Sequence, residues 1–362
     1  MRFIRHMRGP NRLFSSCWAT AAIVALAAPG AVAAPAGADA RDQSRAARKV
    51  LERQQEREDE ALRVEVEALR NLTDSAMRNR AIPADFAISW RNDFLKAQPG
   101  TLVPFTVIID SPARDAEAAE VAEVMMSLRV ARRGQVDAGT SRTAIVYPFE
   151  AMFPVTLASG VTRITRGFSV GPGEYDVYVA LRERSARSAA HPSRARAAVL
   201  KQPILVPDFW TGELAASSVL LADRIDSLPQ PIDSAQLFDE PYVIGDNDIH
   251  VAAEPVFRKD RELLVVFLIY DPLVTSDGHF DVKVDYDLYR GERHVSRTDS
   301  QRFSRSNAGA RLDLSGGRSL MAGQGILLSS FDEGEYRLGI TVTDVLSRRT
   351  LSRDVTFTVV GS

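Results

Sequence analysis

The chain has 362 residues, 45% of them hydrophobic and 25% charged, which excludes a collagen-like, a wholly disordered or a multi-span membrane chain. Its 45 basic residues face 47 acidic ones, so no charge bias points toward nucleic acid. At ~150 residues per domain the length fits two domains once a leader is removed.

Residues 1–33 read as a signal peptide. Arg2, Arg5, Arg8 and Arg12 make a positive start without an acid, Leu13 to Ala28 is mostly apolar, and Ala31-Val32-Ala33 offers small residues for cleavage before Ala34. The apolar run, broken by Pro29 and Gly30, falls short of the ~20 residues of a membrane span. No integral span is therefore expected after cleavage, and an uncleaved anchor is the competing reading. Cys17, the single cysteine, precedes most of the apolar run, where a lipid anchor would follow it, and leaves with the leader. The mature chain then has no disulfide, no thiol nucleophile and no thiolate metal site. It carries 41 basic against 47 acidic residues, a net of −6. A periplasmic or secreted location is expected.

Residues 39–81 predict a charged amphipathic helix. No proline or glycine interrupts Asp39 to Arg80, and Leu62, Val66, Leu69, Thr73 and Ala76 share a face at 4-3-4-3 spacing. Two readings stand: a spacer whose lower half packs on the first domain, or a coiled-coil or partner-docking helix through which copies self-associate. The stop is expected near Ile82-Pro83, because the residue before proline is pushed out of the α region.

The rest of the chain repeats itself. Leu102 to Asp110 lies over Leu263 to Asp271, and Gly173-Glu174-Tyr175 over Gly334-Glu335-Tyr336, both at an offset of 161. Between them Val124, Met126, Leu128 and Val130 answer Val282, Val284, Tyr286 and Leu288 at an offset of 158. Apolar runs of period two, separated by Gly, Pro, Asp and Ser, signal antiparallel strands with one buried face. Gly171-Pro172-Gly173-Glu174-Tyr175 and Asp332-Glu333-Gly334-Glu335-Tyr336 resemble the tyrosine corner of immunoglobulin-like sandwiches, in which the hydroxyl bonds back to the turn backbone. The predicted fold is mainly β: two tandem immunoglobulin- or fibronectin-like antiparallel sandwiches, 84–206 and 245–361, after the helix, joined by a connector, 207–244. Their last strands are expected at Val199–Val206 and Val355–Val360.

The copies differ. The first carries a long insertion holding Arg182, Arg184, Arg187, Arg194 and Arg196, which either meets an acidic partner or anionic glycan or is simply solvated. The second has a glycine-rich loop from Ser315-Gly316-Gly317 to Gly325 without the Gly-Lys-Ser/Thr ending of a phosphate loop. In the connector, Phe209 and Trp210 cover a seam between domains or form an exposed binding patch. The stretch Leu214–Asp223, with Pro241-Tyr242-Val243-Ile244-Gly245 and Leu263–Tyr270, resembles the β-rich C-terminal region of secreted bacterial GWxTD-type proteins. The Gly-Trp-x-Thr-Asp motif itself is absent, since Trp18, Trp90 and Trp210 all lack it. What the resemblance implies is an exported, accessory β-sandwich region, with no functional residue carried over.

Reactive constellations are missing. Val107-Ile108-Ile109-Asp110-Ser111-Pro112 starts like a metal-dependent adhesion motif, but Pro112 and Arg114 replace its hydroxyl ligands. Asp246-Asn247-Asp248, with Asp110, Asp277 or Asp281 as helpers, is a weak calcium candidate against an Asx-rich turn. His191, His250, His279 and His294 have no zinc-ligand spacing, and no Gly-x-Ser-x-Gly turn occurs. Asp281, Asp285 and Asp287 share one strand face, opposite the apolar residues, and read as solvent-facing. No catalytic residue and no cofactor is expected. The function expected is non-enzymatic binding of a protein or cell-surface polymer in the bacterial envelope. The alternatives are an accessory carbohydrate-binding pair for a separate enzyme or a calcium-dependent adhesion module.

Overall fold

The computed structural model describes residues 39–98, 100–111, 122–134, 147–158, 160–184, 195–308, 312–313 and 318–361. The expected leader with Cys17, and Arg187, Arg194, His191 and 315–317 of the glycine-rich loop, lie outside them.

Helix α1 runs Asp39–Met77. It stops before the expected 81, and not because of Pro83. Asn79 adopts a left-handed φ of 51°, its N–H donates to the Ala76 carbonyl at 3.0 Å, and the Arg80 N–H donates to the Ser75 carbonyl at 2.9 Å. These bonds close the helix as a Schellman motif, with asparagine in the place usually held by glycine.

The chain is mainly β. The first sandwich contains β1 Ala87–Asn92, β2 Leu95–Lys96, β3 Thr101–Ser111, β4 Ala122–Arg132, β5 Phe149–Leu157, β6 Gly160–Val170, β7 Gly173–Glu183 and β8 Ala197–Val206. The second contains β9 Ala215–Ala216, β10 Leu220–Ser227, β11 Val243–Ile244, β12 Asn247–Val251, β13 Val256–Arg258, β14 Glu262–Tyr270 and β15 Asp281–Arg290. It continues with β16 Arg293–Arg297, β17 Gln301–Ser304, β18 Leu312–Asp313, β19 Ser319–Leu327, β20 Gly334–Asp344 and β21 Arg349–Val360. Among the described residues no helix is long and apolar enough to cross a membrane.

Both sandwiches have one topology. A sheet ordered β1-β3-β6 faces one ordered β5-β4-β7-β8; in the second copy β10-β14-β19 faces β15-β20-β21, with β16 and β17 on the outer edge of β15. The pairing register repeats as well, Val124 lying opposite Glu183 and Val282 opposite Asp344. The tyrosine corners close alike. Tyr175 and Tyr336 each donate a 3.0 Å hydrogen bond, to the Gly171 and Asp332 carbonyls, and Gly173 and Gly334 hold matching φ values of 140° and 137° that a side chain would strain.

Residues 207–244 are not a free connector. They supply β9 and β10, which pair with β14, and β11, which pairs with β12. Between β10 and β11 the chain straps back over the first sandwich. A 3-10 turn, Ser234–Phe238, is closed by a capping box on Asp233, and Phe238 packs on Phe149 and Phe153. Gly167 of β6 admits this strap: a Cβ there would stand 2.7 Å from Pro241 Cβ.

The seam between the sandwiches is formed by the outer faces of β3 and β14. On β14, Leu263, Val265, Phe267 and Ile269 point into the second core, while Leu268 and Tyr270 meet Leu95, Leu102 and Phe209. Burial on both faces explains why Leu263–Tyr270 is apolar at every position rather than at alternate ones. Polar bonds cross the same seam: Phe94 N–H to Ser218 Oγ at 2.9 Å, Tyr242 Oη to Asp93 Oδ2 at 2.7 Å, and Lys96 Nζ to Asp271 Oδ2 at 2.7 Å.

The lower part of α1 covers the outer face of β4, β7 and β8. Leu69, Ala76 and Met77 are buried against Met125, Ala131, Tyr178 and Ala180. Arg129, itself buried, binds Asp74 of the helix at 2.7 Å and Glu150 of β5 at 2.8 Å. The same face of the second sandwich presents Lys283, Asp285, Asp287 and Tyr289 at the positions of Met125, Ser127, Arg129 and Ala131. It offers no comparable apolar seat.

Candidate functional site

The charged face of β15 differs from its expected solvation. Asp281, Asp285 and Asp287 do share a face, but neighbouring cations and hydroxyls cover them. Arg302 chelates Asp281 with Nε and Nη2. Arg297 chelates Asp287 at 2.7 and 2.9 Å, and His294 Nε2 joins at 2.9 Å. Hydrogen bonding to Arg302 and to Arg297 holds the first and third carboxyls below the usual range. Burial alone would raise Asp285, but Ser300 and Lys283 outweigh it and the net shift is downward. Each carboxylate is thus occupied by a cation or hydroxyl of its own sheet, an arrangement that fixes β16 and β17 to β15.

The other residues singled out from the sequence are dispersed. Arg184 pairs with Glu65 and Glu123 at 3.4 and 3.3 Å, and Arg196 with Glu183 at 2.7 Å while lying over Phe86. Arg182 is half-buried at the end of β7. These three do not extend on a free loop tip; they stand at the roots of the two strands, and Arg184 and Arg196 are held there by carboxylates. Asp246, Asn247 and Asp248 lie in the β11–β12 hairpin of the second sandwich rather than in a linker between domains. Asn247 Nδ2 donates to Asp246 Oδ1 at 2.9 Å and Asp248 faces His250 at 3.5 Å. Among the described residues no group of three or more His, Cys, Asp or Glu is placed to hold a metal ion.

Phe209 and Trp210 sit together at the seam. Phe209 is buried against Tyr270, with ring centres 5.0 Å apart. Trp210 stays 39% exposed, donates Nε1–H to the Gly100 carbonyl at 2.8 Å, and lies 4.5 Å from Lys96 Nζ, which in turn holds Asp271. The seam therefore leads directly into the turns at one end of the second sandwich.

That end is organised by Asp344, which no sequence motif marks as a candidate site residue. Its carboxylate is buried, and it accepts the N–H of Leu273 at 2.8 Å, the N–H groups of Leu346 and Ser347 at 3.1 and 3.3 Å, and the Ser347 hydroxyl at 2.6 Å. One side chain thus ties the β14–β15 connection to the β20–β21 turn. Arg305 donates to the Asp277 carbonyl at 2.7 Å and Asp271 N–H to the Arg318 carbonyl at 3.0 Å, which adds Arg305 and Arg318 to the same end. The signal was present in the sequence: an Asp opening a four-residue turn that contains Ser, the pattern of side-chain-to-backbone closure. Glu183, at the matching position of the first copy, accepts the N–H and Nε–H of Arg196 in the same way. On this preorganised end Leu273 and Val345 expose 43% and 39% of their surface, and Arg348 and Arg349 stand beside them on the turn.

No protein-family model matches the chain, and no curated protein does. Among solved structures, alpha-2-macroglobulin of Escherichia coli activated by porcine elastase is similar at 11% identity and a TM-score of 0.23, over 76% of this chain and 22% of that one. The beta-glucuronidase of Bacteroides uniformis is similar at 8% identity and a TM-score of 0.27, over 75% of this chain and 32% of that one. The chain spans less than a third of the length of either.

Proposed function

We propose that the chain is an exported, non-enzymatic β-sandwich protein that binds a protein or a cell-surface polymer in the bacterial envelope. The observation that carries this reading is the loop end built on Asp344: an apolar and basic surface held in place before any partner arrives, so that little ordering entropy opposes binding. The basic leader with its Ala31-Val32-Ala33 cleavage site supports export, and the resemblance to GWxTD-type accessory regions agrees with it. The acidic side chains on β15 serve its neighbouring strands, a structural use of groups that could otherwise be taken for acid–base machinery.

The test is sedimentation of the purified mature chain with envelope fragments from the native host, before and after protease treatment of the fragments. Binding lost on proteolysis identifies a protein partner, and binding retained identifies a polymer. A mature chain that starts at Ala34 outside the cytoplasm completes the reading. Absence of co-sedimentation, or a hydrolytic activity abolished by one substitution, refutes it.

A further inference from the structure

We infer that the Asp344-organised end of one copy receives the α1 segment around Val64 of a second copy, joining copies head to tail. Val64 is 54% exposed. It lies on the side of α1 away from the sandwich it covers, since Leu69, Thr73 and Ala76 on the opposite stripe are buried. At spacings of four and three, Glu60 and Glu67 lie on its own stripe, and both are exposed; Glu60 pairs there with Arg63 at 2.8 Å, a contact between exposed side chains that solvent screens. The pattern is an apolar side chain between two carboxylates about 10 Å apart along the axis, from seven residues at ~1.5 Å each.

The Asp344 end has the complementary pattern. Leu273 and Val345 offer apolar surface, and the turn beside them carries Arg348 and Arg349. Asp344, the carboxylate that opens this turn, is buried and consumed by four hydrogen bonds. Arg348 sits at a left-handed φ of 57° in the turn that joins β20 to β21. Arg349 reaches Glu213 only at 3.8 Å, with both side chains more than half exposed, a contact that solvent screens and a better-placed carboxylate would replace. Val64 against Leu273 and Val345, with Glu60 and Glu67 toward Arg348 and Arg349, buries apolar surface and pairs opposite charges. The two patches are different surfaces of one chain, so the contact is heterologous: a joined pair keeps one free helix and one free loop end.

The experiment is sedimentation equilibrium of the full mature chain across a concentration series, with Val64→Asp and Arg348→Glu as separate variants. Both positions are exposed, so neither change should alter folding, and a melting temperature checks this. The wild-type average mass should rise with concentration and fall back as salt is added. Each variant alone should remain monomeric. Mixed together they should form a dimer and stop there, since Val64→Asp keeps its loop end and Arg348→Glu keeps its helix. A wild-type chain that stays monomeric at its solubility limit overturns the inference. Association that survives both substitutions overturns it too, as does a mixture of the variants that fails to pair. Loss of this association with envelope binding intact would leave the proposed function standing.

Discussion

Gly167→Ala adds a single methyl where the strap crosses β6. Its Cβ would meet Pro241 Cβ at 2.7 Å, the Leu237 carbonyl oxygen at 3.0 Å and Leu102 Cδ1 at 3.3 Å. Carbon atoms at ordinary contact stand ~3.5–4.0 Å apart, so Pro241 must retreat by about 1 Å. That retreat is resisted: the proline ring is rigid, and the adjacent Tyr242 is anchored to Asp93 by its 2.7 Å hydrogen bond. Replacing a strand glycine would otherwise gain roughly 0.5–1 kcal/mol of backbone entropy. Overpacking of this kind costs about 1–3 kcal/mol, and the net effect is expected to be a loss. Urea and thermal unfolding read it, at about 2–4 °C of midpoint per kcal/mol for a body of this size. Gly325→Ala is the control: its methyl meets only the Glu262 side chain, which is exposed and can swing away, so a change within about 0.5 kcal/mol is expected. If Gly167→Ala is no more costly than Gly325→Ala, the strap is not closely packed on the first sandwich and the account of the seam fails.

Further substitutions probe the remaining joints. Leu69→Ala removes the buried anchor of α1 and is expected to cost about 2–5 kcal/mol; limited proteolysis should then cut within 58–77 far faster than in the wild type. Tyr175→Phe and Tyr336→Phe should each cost about 0.5–1.5 kcal/mol, and similar values in denaturant would reflect the equivalence of the two corners. Burial pushes the Asp93 carboxyl above its ordinary 3.8, and Tyr242, Arg91 and Ser218 only partly offset this. A folded value above the unfolded one gives stability that is complete below ~4 and declines as pH rises through the folded value. Asp93→Asn should flatten that decline, and melting curves of equal slope against pH would refute it. Arg297→Gln should do the opposite on the acid side. Asp287, held low by this guanidinium, stabilises the fold above the ordinary carboxylate value, and the variant should lose less stability on acidification.

The elements of this protein follow from local patterns. Alternation at Val124–Val130 and Val282–Leu288 defines strands and their inner faces, because side chains on a strand must point to opposite sides. The glycine before each corner tyrosine marks the turn, and the offsets of 161 and 158 recur in the strand register. Pro83 is a visible stop in the sequence, whereas Asn79 ends the helix earlier, through bonds to carbonyls already inside it.

What only the tertiary structure decided is how these pieces are joined. Residues 207–244 read as a linker because their strands are short and interrupted by prolines, yet they complete a sheet with β14. Asp93 and Tyr242 meet across 149 positions and Lys96 and Asp271 across 175, separations over which no local pattern carries information. Charge alone does not reveal a partner: folding supplies Glu65 and Glu123 for Arg184, Arg297 for Asp287 and Arg302 for Asp281. Strand identity depends on neighbours two residues away and is written along the chain. Which face is covered, and which carboxylate is consumed, depends on groups that only become neighbours when the sheets close.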